Sequence, residues 1–401
     1  MPAEKQRKEM ESFYRTHAYL VEHTNAPVRR DLMDEIDWSD RLIGIKGTRG
    51  VGKTTFLLQY AKEKFGTDRS CLFINMNNFY FSGHSIVDFA NEFQKRGGKV
   101  LLIDQVFKHP EWSKELRMCY DRYPNLKIVF TGSSVMRLKE ENLELRDIAK
   151  SYNLRGFSFR EFLNLQTGMK FRAYSLEEIL STHEQIAKGV LSKVRPLDYF
   201  QDYLHHGFYP FFLEKRNFSE NLLKTMNMMV EVDILLIKQI ELKYLSKIKK
   251  LLYLLAVDGP KAPNVSQLAS DIQTSRATIM NYIKYLADAR LINLVYPKGE
   301  EFPKKPSKIM MHNSNLMYSI YPVKVEEQDV LDTFFVNTLW KDHKVHKGDK
   351  NVSFMVDEVM PFKICAEGAK IKNNPDVTYA LQKAEIGRGN QIPLWMFGFL
   401  Y

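Results

Sequence analysis

Short apolar runs alternating with amphipathic stretches set the pattern of the first third of the chain. Residues 42–45 (Leu42-Ile43-Gly44-Ile45), 70–76, 99–104 and 127–134 are runs rich in Leu, Ile, Val and Phe that read as buried strands. Residues 55–60 and 86–96 lie between them with helical spacing, and Gly97-Gly98 closes the second of these helices. Near-continuous apolar strands separated by helices predict an α/β domain on a doubly wound parallel sheet. Ahead of it, residues 1–40 read as helical and amphipathic, with Tyr14, Tyr19, Leu20 and Val21 as candidates for the buried stripe.

The pattern then changes twice. Residues 135–245 are helical and aromatic, with Ser158 placed to cap the apolar stretch 159–163 and a turn dense in aromatics at 206–212. Next comes an apolar helix over 248–257, broken by Gly259-Pro260 and Pro263-Asn264. A short helix over 265–272, a tight turn at Thr274-Ser275, a second helix over 276–289 and a strand over 291–296 follow. Helix, turn, helix, strand is the layout of a winged helix-turn-helix. Residues 325–401 mix strands and turns and end in the apolar tail 393–401.

The chemistry lies at the end of the first strand. Gly47-Thr48-Arg49-Gly50-Val51-Gly52-Lys53-Thr54 reads G-x-x-x-x-G-K-T, between a predicted strand and a predicted helix that Thr55 helps to open. Its glycines let the backbone curl so that N–H groups point at phosphate oxygens, and the helix N-terminus adds partial positive charge. Lys53 is expected to reach the β/γ-phosphates of ATP or ADP, and the Thr54 hydroxyl to ligate Mg²⁺. Asp104 closes another apolar strand and is the carboxylate expected on the same Mg²⁺. Gln105 follows it, where many P-loop ATPases have a glutamate that polarises the attacking water. Glutamine can orient water but cannot take its proton, so binding should survive while hydrolysis slows. Thr131 and Ser133 end the neighbouring strand, where a hydroxyl can sense the γ-phosphate or simply cap the next turn. Arg49, Arg137, Arg146, Arg155 and Arg160 are candidates for stabilising phosphate charge.

The pattern divides the chain into a P-loop domain with a helical N-terminal segment (1–134), a helical lid (135–245), a winged helix-turn-helix (246–322) and a small α+β domain (323–401). A length of 401 residues suits several domains, and 44% hydrophobic residues suit globular ones. The N-terminus lacks an apolar signal core, no stretch has the length of a membrane span, and the three cysteines are widely spaced. A reduced, cytoplasmic protein is expected. Of the net charge of +10, a surplus of six lies in residues 241–320, which carry 12 Lys and Arg against 6 Asp and Glu. Arg276, Thr278, Asn281 and Lys284 in the second helix are candidates for DNA contacts within 265–290. His343 and His346 have a loose metal-ligand spacing but no partner carboxylate expected nearby, which favours a polar strand or turn over a metal site.

These residues together resemble a group of bacterial AAA-type ATPases, common in Bacteroidetes. In that group a P-loop domain is joined to a helical lid, a winged helix and a C-terminal nuclease-like domain. The resemblance rests on GIKGTRGVGKTTFLLQY, VLLID, IVFTGSS, LRGFSFREFL, HHGFYPFF, LLYLLAVDGP, KKPSKIMMHNSNLMYSI and the tail EIGRGNQIPLWMFGFLY. It implies a nucleotide switch or slow ATPase, with a homo-oligomer or protein partner in view and a DNA-binding regulator as the alternative. Resemblance to related signalling ATPases implies that Gly207, Tyr209 and Pro210 touch adenine, with a structural turn as the alternative. The departures matter as much. Asp104-Gln105 stands for Asp-Glu, Asn77-Asn78 for an acidic pair, and Asp147-Ile148 for a double arginine. Ser353 and Lys363-Ile364-Cys365-Ala366 replace the nuclease-like domain's usual acidic motif, leaving Asp357, Glu358 and Glu367 at other spacings. The resemblance therefore implies an inactive nuclease-like domain beside a retained nucleotide site.

Overall fold

Every residue of the run Val100–Ile103 is buried on both sides, which is what a central strand of a parallel sheet requires. The computed structural model describes residues 2–138, 142–214, 217–371 and 374–401. They form two compact units, one of Met1–Arg155 with Leu236–Gln239, the other of Gly156–Leu235 with Ile240–Tyr401.

In the first unit, β1 (Leu42–Gly47), β2 (Cys71–Asn75), β3 (Val100–Asp104), β4 (Lys127–Ser133) and β5 (Lys150–Asn153) form one sheet. Its order is β2-β3-β4-β1-β5, and every pairing is parallel. The sheet thus runs past residue 134 to a fifth strand that the hydropathy pattern does not reveal. β5 is polar (Lys-Ser-Tyr-Asn) and no residue of it is fully buried, because it is held at the edge by main-chain pairing to β1. The helices α1 (Pro2–His23), α2 (Lys53–Lys64), α3 (Ile86–Lys95) and α4 (Trp112–Arg122) belong to this unit. Phe89, Phe93 and Phe130 are at most 1% exposed within its core. Each contributes roughly 1.5–3 kcal/mol of hydrophobic stabilisation.

Helix α1 buries Met10, Phe13, Tyr14, His17 and Val21, a stripe at spacings of three and four. Tyr14 and Val21 are buried as expected and Leu20 is partly so, but Tyr19 is 61% exposed and stacks on His23. It sits two residues past His17, about 200° around the helix, and so faces water. His17 meets the open edge of β2. Its Nδ1 accepts a 3.0 Å hydrogen bond from the Phe73 N–H, which the sheet leaves unpaired. Burial lowers the pKa of His17 below its ordinary 6.5, partly offset by the Gly66 carbonyl. The unfolded chain therefore binds the extra proton first, and stability falls as pH drops below 6.5. A His17→Gln variant, which keeps an acceptor but no titratable group, should lose less stability between pH 7 and 5 than the wild type. Urea unfolding at both pH values checks this, and equal losses would refute it.

The second unit begins with helices closed by capping boxes. Ser158 and Glu161 cap α5 (Phe159–Thr167), and Ser175 and Glu178 cap α6 (Leu176–Leu191). After α7 (Leu197–Asp202) the chain widens into a π-turn, Tyr203–Gly207, whose carbonyls need outside donors. Ser314 Oγ donates to Leu204 O, and Asn315 Nδ2 donates to both Tyr203 O and Leu204 O. The Asn315 side-chain oxygen accepts from the Phe208 N–H. These ties explain the run His312-Asn313-Ser314-Asn315 as a clamp on the aromatic turn. They also set Tyr209 at 0% exposure, with its hydroxyl accepting from Asn313, and Gly207 so close to Tyr203 that a Cβ would stand 2.4 Å from its ring. Gly207 and Tyr209 are packing residues of this turn. Pro210 opens the 3-10 turn Pro210–Glu214.

Further on lie α8 (Phe218–Met228), α9 (Leu245–Asp258), α10 (Val265–Ile272) and α11 (Arg276–Asp288). An antiparallel pair, β6 (Ile292–Val295) with β7 (Lys308–Met311), follows. After α12 (Ser314–Ile320) and α13 (Glu327–Leu339) comes a second five-stranded sheet, ordered β12-β11-β10-β9-β8. Its strands are β8 (Val345–Lys347), β9 (Phe354–Val356), β10 (Met360–Cys365), β11 (Thr378–Leu381) and β12 (Gln391–Pro393). The apolar tail forms a buried 3-10 turn, Leu394–Phe399, against α13. Phe335 of that helix lies 5.1 Å from both Phe362 and Phe397.

Candidate nucleotide site

β1 ends at Gly47, and the loop Thr48–Gly52 delivers the chain to the first turn of α2. Gly50 and Gly52 have φ of 85° and 92°, a left-handed conformation that glycine adopts without strain. Gly47 is constrained differently, since a Cβ there would lie 2.4 Å from the Leu154 carbonyl oxygen. Val51 is fully buried and pins the loop from inside. Arg30, itself buried, donates to the Val51 carbonyl at 3.4 Å and to the Arg155 carbonyl at 2.8 Å. It braces the loop from behind, a role with no motif to announce it. Lys53 Nζ sits over the loop, donating to the Gly47 and Thr48 carbonyls at 2.8 Å each. Arg49 is partly exposed on the loop, and Thr55 is exposed on the first turn of α2.

Asp104 is 1% exposed, and both oxygens of its carboxylate accept hydrogen bonds. One oxygen accepts from Thr54 Oγ1 and Asn75 Nδ2, both at 2.8 Å, and the other accepts from Thr131 Oγ1 at 2.5 Å. Residues from the loop helix, β2, β3 and β4 thus converge at the carboxyl ends of the strands, where open α/β sheets bind ligands. Asn75 lies opposite Asp104 in the strand register. It escapes sequence reading because a lone asparagine at a strand end looks like a turn residue.

Gln105 sits next, in the left-handed region with φ 54° and ψ 47°. Its N–H donates to Thr131 Oγ1 at 2.9 Å, so Thr131 links the two residues. A non-glycine residue held in that conformation stores strain of roughly 1–3 kcal/mol, which is found where function fixes the backbone. Ser133 Oγ accepts from the Val135 N–H and caps the following turn.

This donor set fits a nucleotide with its magnesium. The ion would need one carboxylate and one hydroxyl from the protein, here Asp104 and Thr54, with phosphate and water supplying the rest.

Of the arginine candidates, Arg160 is 4% exposed and donates to the Tyr401 and Phe171 carbonyls at 3.0 and 3.1 Å. It is a structural residue of the second unit, tying α5 to the Phe171 and Tyr401 backbone. Arg137 and Arg155 are partly buried and Arg146 is exposed.

The acidic residues of the C-terminal sheet stay apart. Asp357 pairs with His343, Glu358 with Lys298 and Glu367 with Lys383. The first pairing corrects the expectation that the His343 segment has no carboxylate near it. Among the described residues, no group of three His, Cys, Asp or Glu side chains is placed to hold a metal ion.

Residues 39–163 match the family model described as an AAA domain. The N-terminal unit carries a P-loop AAA-type domain. The AAA match continues through β5 and into α5. Residues 197–324 match a second family model, a domain of unknown function named DUF8612. Two uncharacterised proteins of Methanocaldococcus jannaschii are similar. One is 30% identical over 274 residues, covering 64% of this chain and 57% of the relative. The other is 27% identical over 267 residues, covering 63% and 55%. The chain thus spans a little over half the length of these curated relatives.

Among solved structures, the ORC1 protein of Aeropyrum pernix in complex with DNA aligns at 11% identity and a TM-score of 0.30, covering 78% of this chain and 92% of that one. AMPPCP-bound DnaA from Aquifex aeolicus aligns at 13% identity and a TM-score of 0.26, covering 62% and 82%. No helix of the described residues is long and apolar enough to cross a membrane.

Proposed function

We propose that this protein is a Mg²⁺-dependent, ATP-binding switch of the AAA type whose hydrolysis is slowed by Gln105. The observation that carries the reading is the buried Asp104 carboxylate, bonded at once to Thr54 of the loop helix, Asn75 of β2 and Thr131 of β4. A buried carboxylate held by three neutral donors is oriented in advance for a cation. Gly50, Gly52 and the start of α2 would cradle phosphate oxygens, Arg49 would lie along the loop's outer side, and Lys53 would exchange its loop carbonyls for phosphate. Magnesium bound between Thr54 and Asp104 would neutralise phosphate charge. Gln105, fixed through its N–H to Thr131, would orient water without accepting its proton.

Single-turnover hydrolysis on this chain and on Gln105→Glu tests the reading. Both should bind MgATP alike, and the glutamate variant should turn over about a hundredfold faster, the range of general-base catalysis. Equal rates would remove Gln105 as the brake.

DNA binding through residues 265–290 is the second reading. Arg276 and Asn281 are exposed on α11, which supports it. Lys284 is paired with Asp288 within the same helix and Arg276 is bonded to Ser266, which weakens it.

A further inference from the structure

The antiparallel pairing of β8 with β9, Val345 opposite Val356, brings the segment His343–His346 against the turn that follows β9. Asp357 and Glu358 are the first two of the three residues between paired Val356 and Met360, with φ of 47° and 64°, both left-handed, a conformation that L side chains rarely adopt. Each strained residue has its carboxylate engaged. Asp357 accepts from the Lys344 N–H at 2.8 Å and lies 2.6 Å from His343 Nδ1, while Glu358 lies 3.0 Å from Lys298 Nζ. Burial alone would raise the pKa of Asp357, but His343 and the Lys344 N–H together hold it below the usual carboxylate value. With Nδ1–H given to the Asp357 carboxylate, Nε2 of His343 is the ring atom left for a ligand, and it donates to an anion when the ring is protonated.

A pocket of about 280 Å³ opens beside this pair, between the end of α11, the β6 strand end and the start of β8. Arg290 and Lys344 supply fixed positive charge to its walls, and Trp340 and Tyr296 supply aromatic surface. The Tyr296 hydroxyl and His346 Nε2 are buried with no hydrogen-bond partner, although buried polar atoms are normally satisfied. The single acidic wall residue, Glu300, has its carboxylate 3.3 Å from Lys304 Nζ. No wall residue is Ser, Thr or Cys, so the wall offers the His343–Asp357 pair no serine-, threonine- or cysteine-type nucleophile. The donor-rich wall suits an anion rather than a cation.

We propose that the pocket lined by Arg290, Tyr296, Trp340, His343, Lys344 and His346 is a binding site for a phosphomonoester. Three terminal phosphate oxygens match a guanidinium, an ammonium and the imidazoles, and the aromatic rings take the rest of the ligand. The ligand is either a free nucleoside monophosphate or the 5′-phosphate of a single strand. Asp357 is a positioning residue for His343.

The test uses the full chain carrying Lys53→Ala, which keeps the loop site out of the measurement. AMP and a short single-stranded DNA, 5′-phosphorylated or 5′-hydroxyl, are titrated calorimetrically. Saturable binding weakened at least tenfold by Lys344→Glu and by His343→Gln is expected. Both positions are partly or fully exposed, and unchanged thermal unfolding of either variant establishes that it folds. Equal binding of AMP and the phosphorylated strand assigns a small phosphomonoester. Preference for the phosphorylated strand over AMP and the hydroxyl strand assigns a strand end. No binding of AMP together with indifference to the 5′-phosphate, or affinities unmoved by both variants, overturns the proposal.

Discussion

Lys53→Ala should weaken ATP binding on the order of a hundredfold, and Asp104→Asn should abolish the tightening of ATP binding by Mg²⁺. The first effect follows from losing a cation placed over the loop, worth about 3 kcal/mol against phosphate. The second follows from the hydrogen bonds around Asp104. Thr54, Asn75 and Thr131 all offer donors to its two oxygens. An amide in its place turns an NH₂ group toward donors, removes the charge that would hold the ion and leaves a buried group unsatisfied. Titration of a fluorescent ATP analogue with and without Mg²⁺ separates the two effects. If Asp104→Asn kept the same Mg²⁺ dependence as the parent, the ion would not depend on this carboxylate.

Arg160→Met should do the opposite, lowering stability by roughly 3–5 kcal/mol while leaving ATP affinity within about twofold. The guanidinium is buried and gives hydrogen bonds to the Tyr401 and Phe171 carbonyls, so its loss strands acceptors where water cannot serve them. For a unit of this size the change corresponds to a shift of about 10 °C in Tm, readable by calorimetry. An unchanged Tm with lost ATP affinity would return Arg160 to the list of phosphate-sensing residues.

The parts of this protein that the chain advertises are those in which one residue type serves one physical need. β1 to β4 are apolar because both faces of a parallel sheet are covered, and the loop glycines are glycines because φ is positive there. Asp104 and Thr131 stand out as polar ends of apolar runs, and Ser158 as a cap before an apolar stretch. What stayed hidden depends on partners distant in sequence. β5 is polar because its pairing uses only main chain. Asn75 and Arg30 join the site through contacts 29 and 21 residues away. Asp357 reaches His343 only once β8 and β9 pair. Tyr19 falls outside the buried stripe because a stripe of aromatic and aliphatic residues is only as clear as its phase, and the buried His17 that sets the phase is polar.

Gly47 has a consequence for how such a protein can drift. Gly50 and Gly52 are required by the curl of the phosphate loop, and a descendant that abandoned nucleotide would be free to replace them. Gly47 is required by the Leu154 carbonyl, which directly follows β5 beside it, whether or not any ligand is present. A relative that has given up phosphate binding should therefore still carry the first glycine of the motif. Its survival in a sequence is a mark of the sheet, and only the later two glycines report on the ligand.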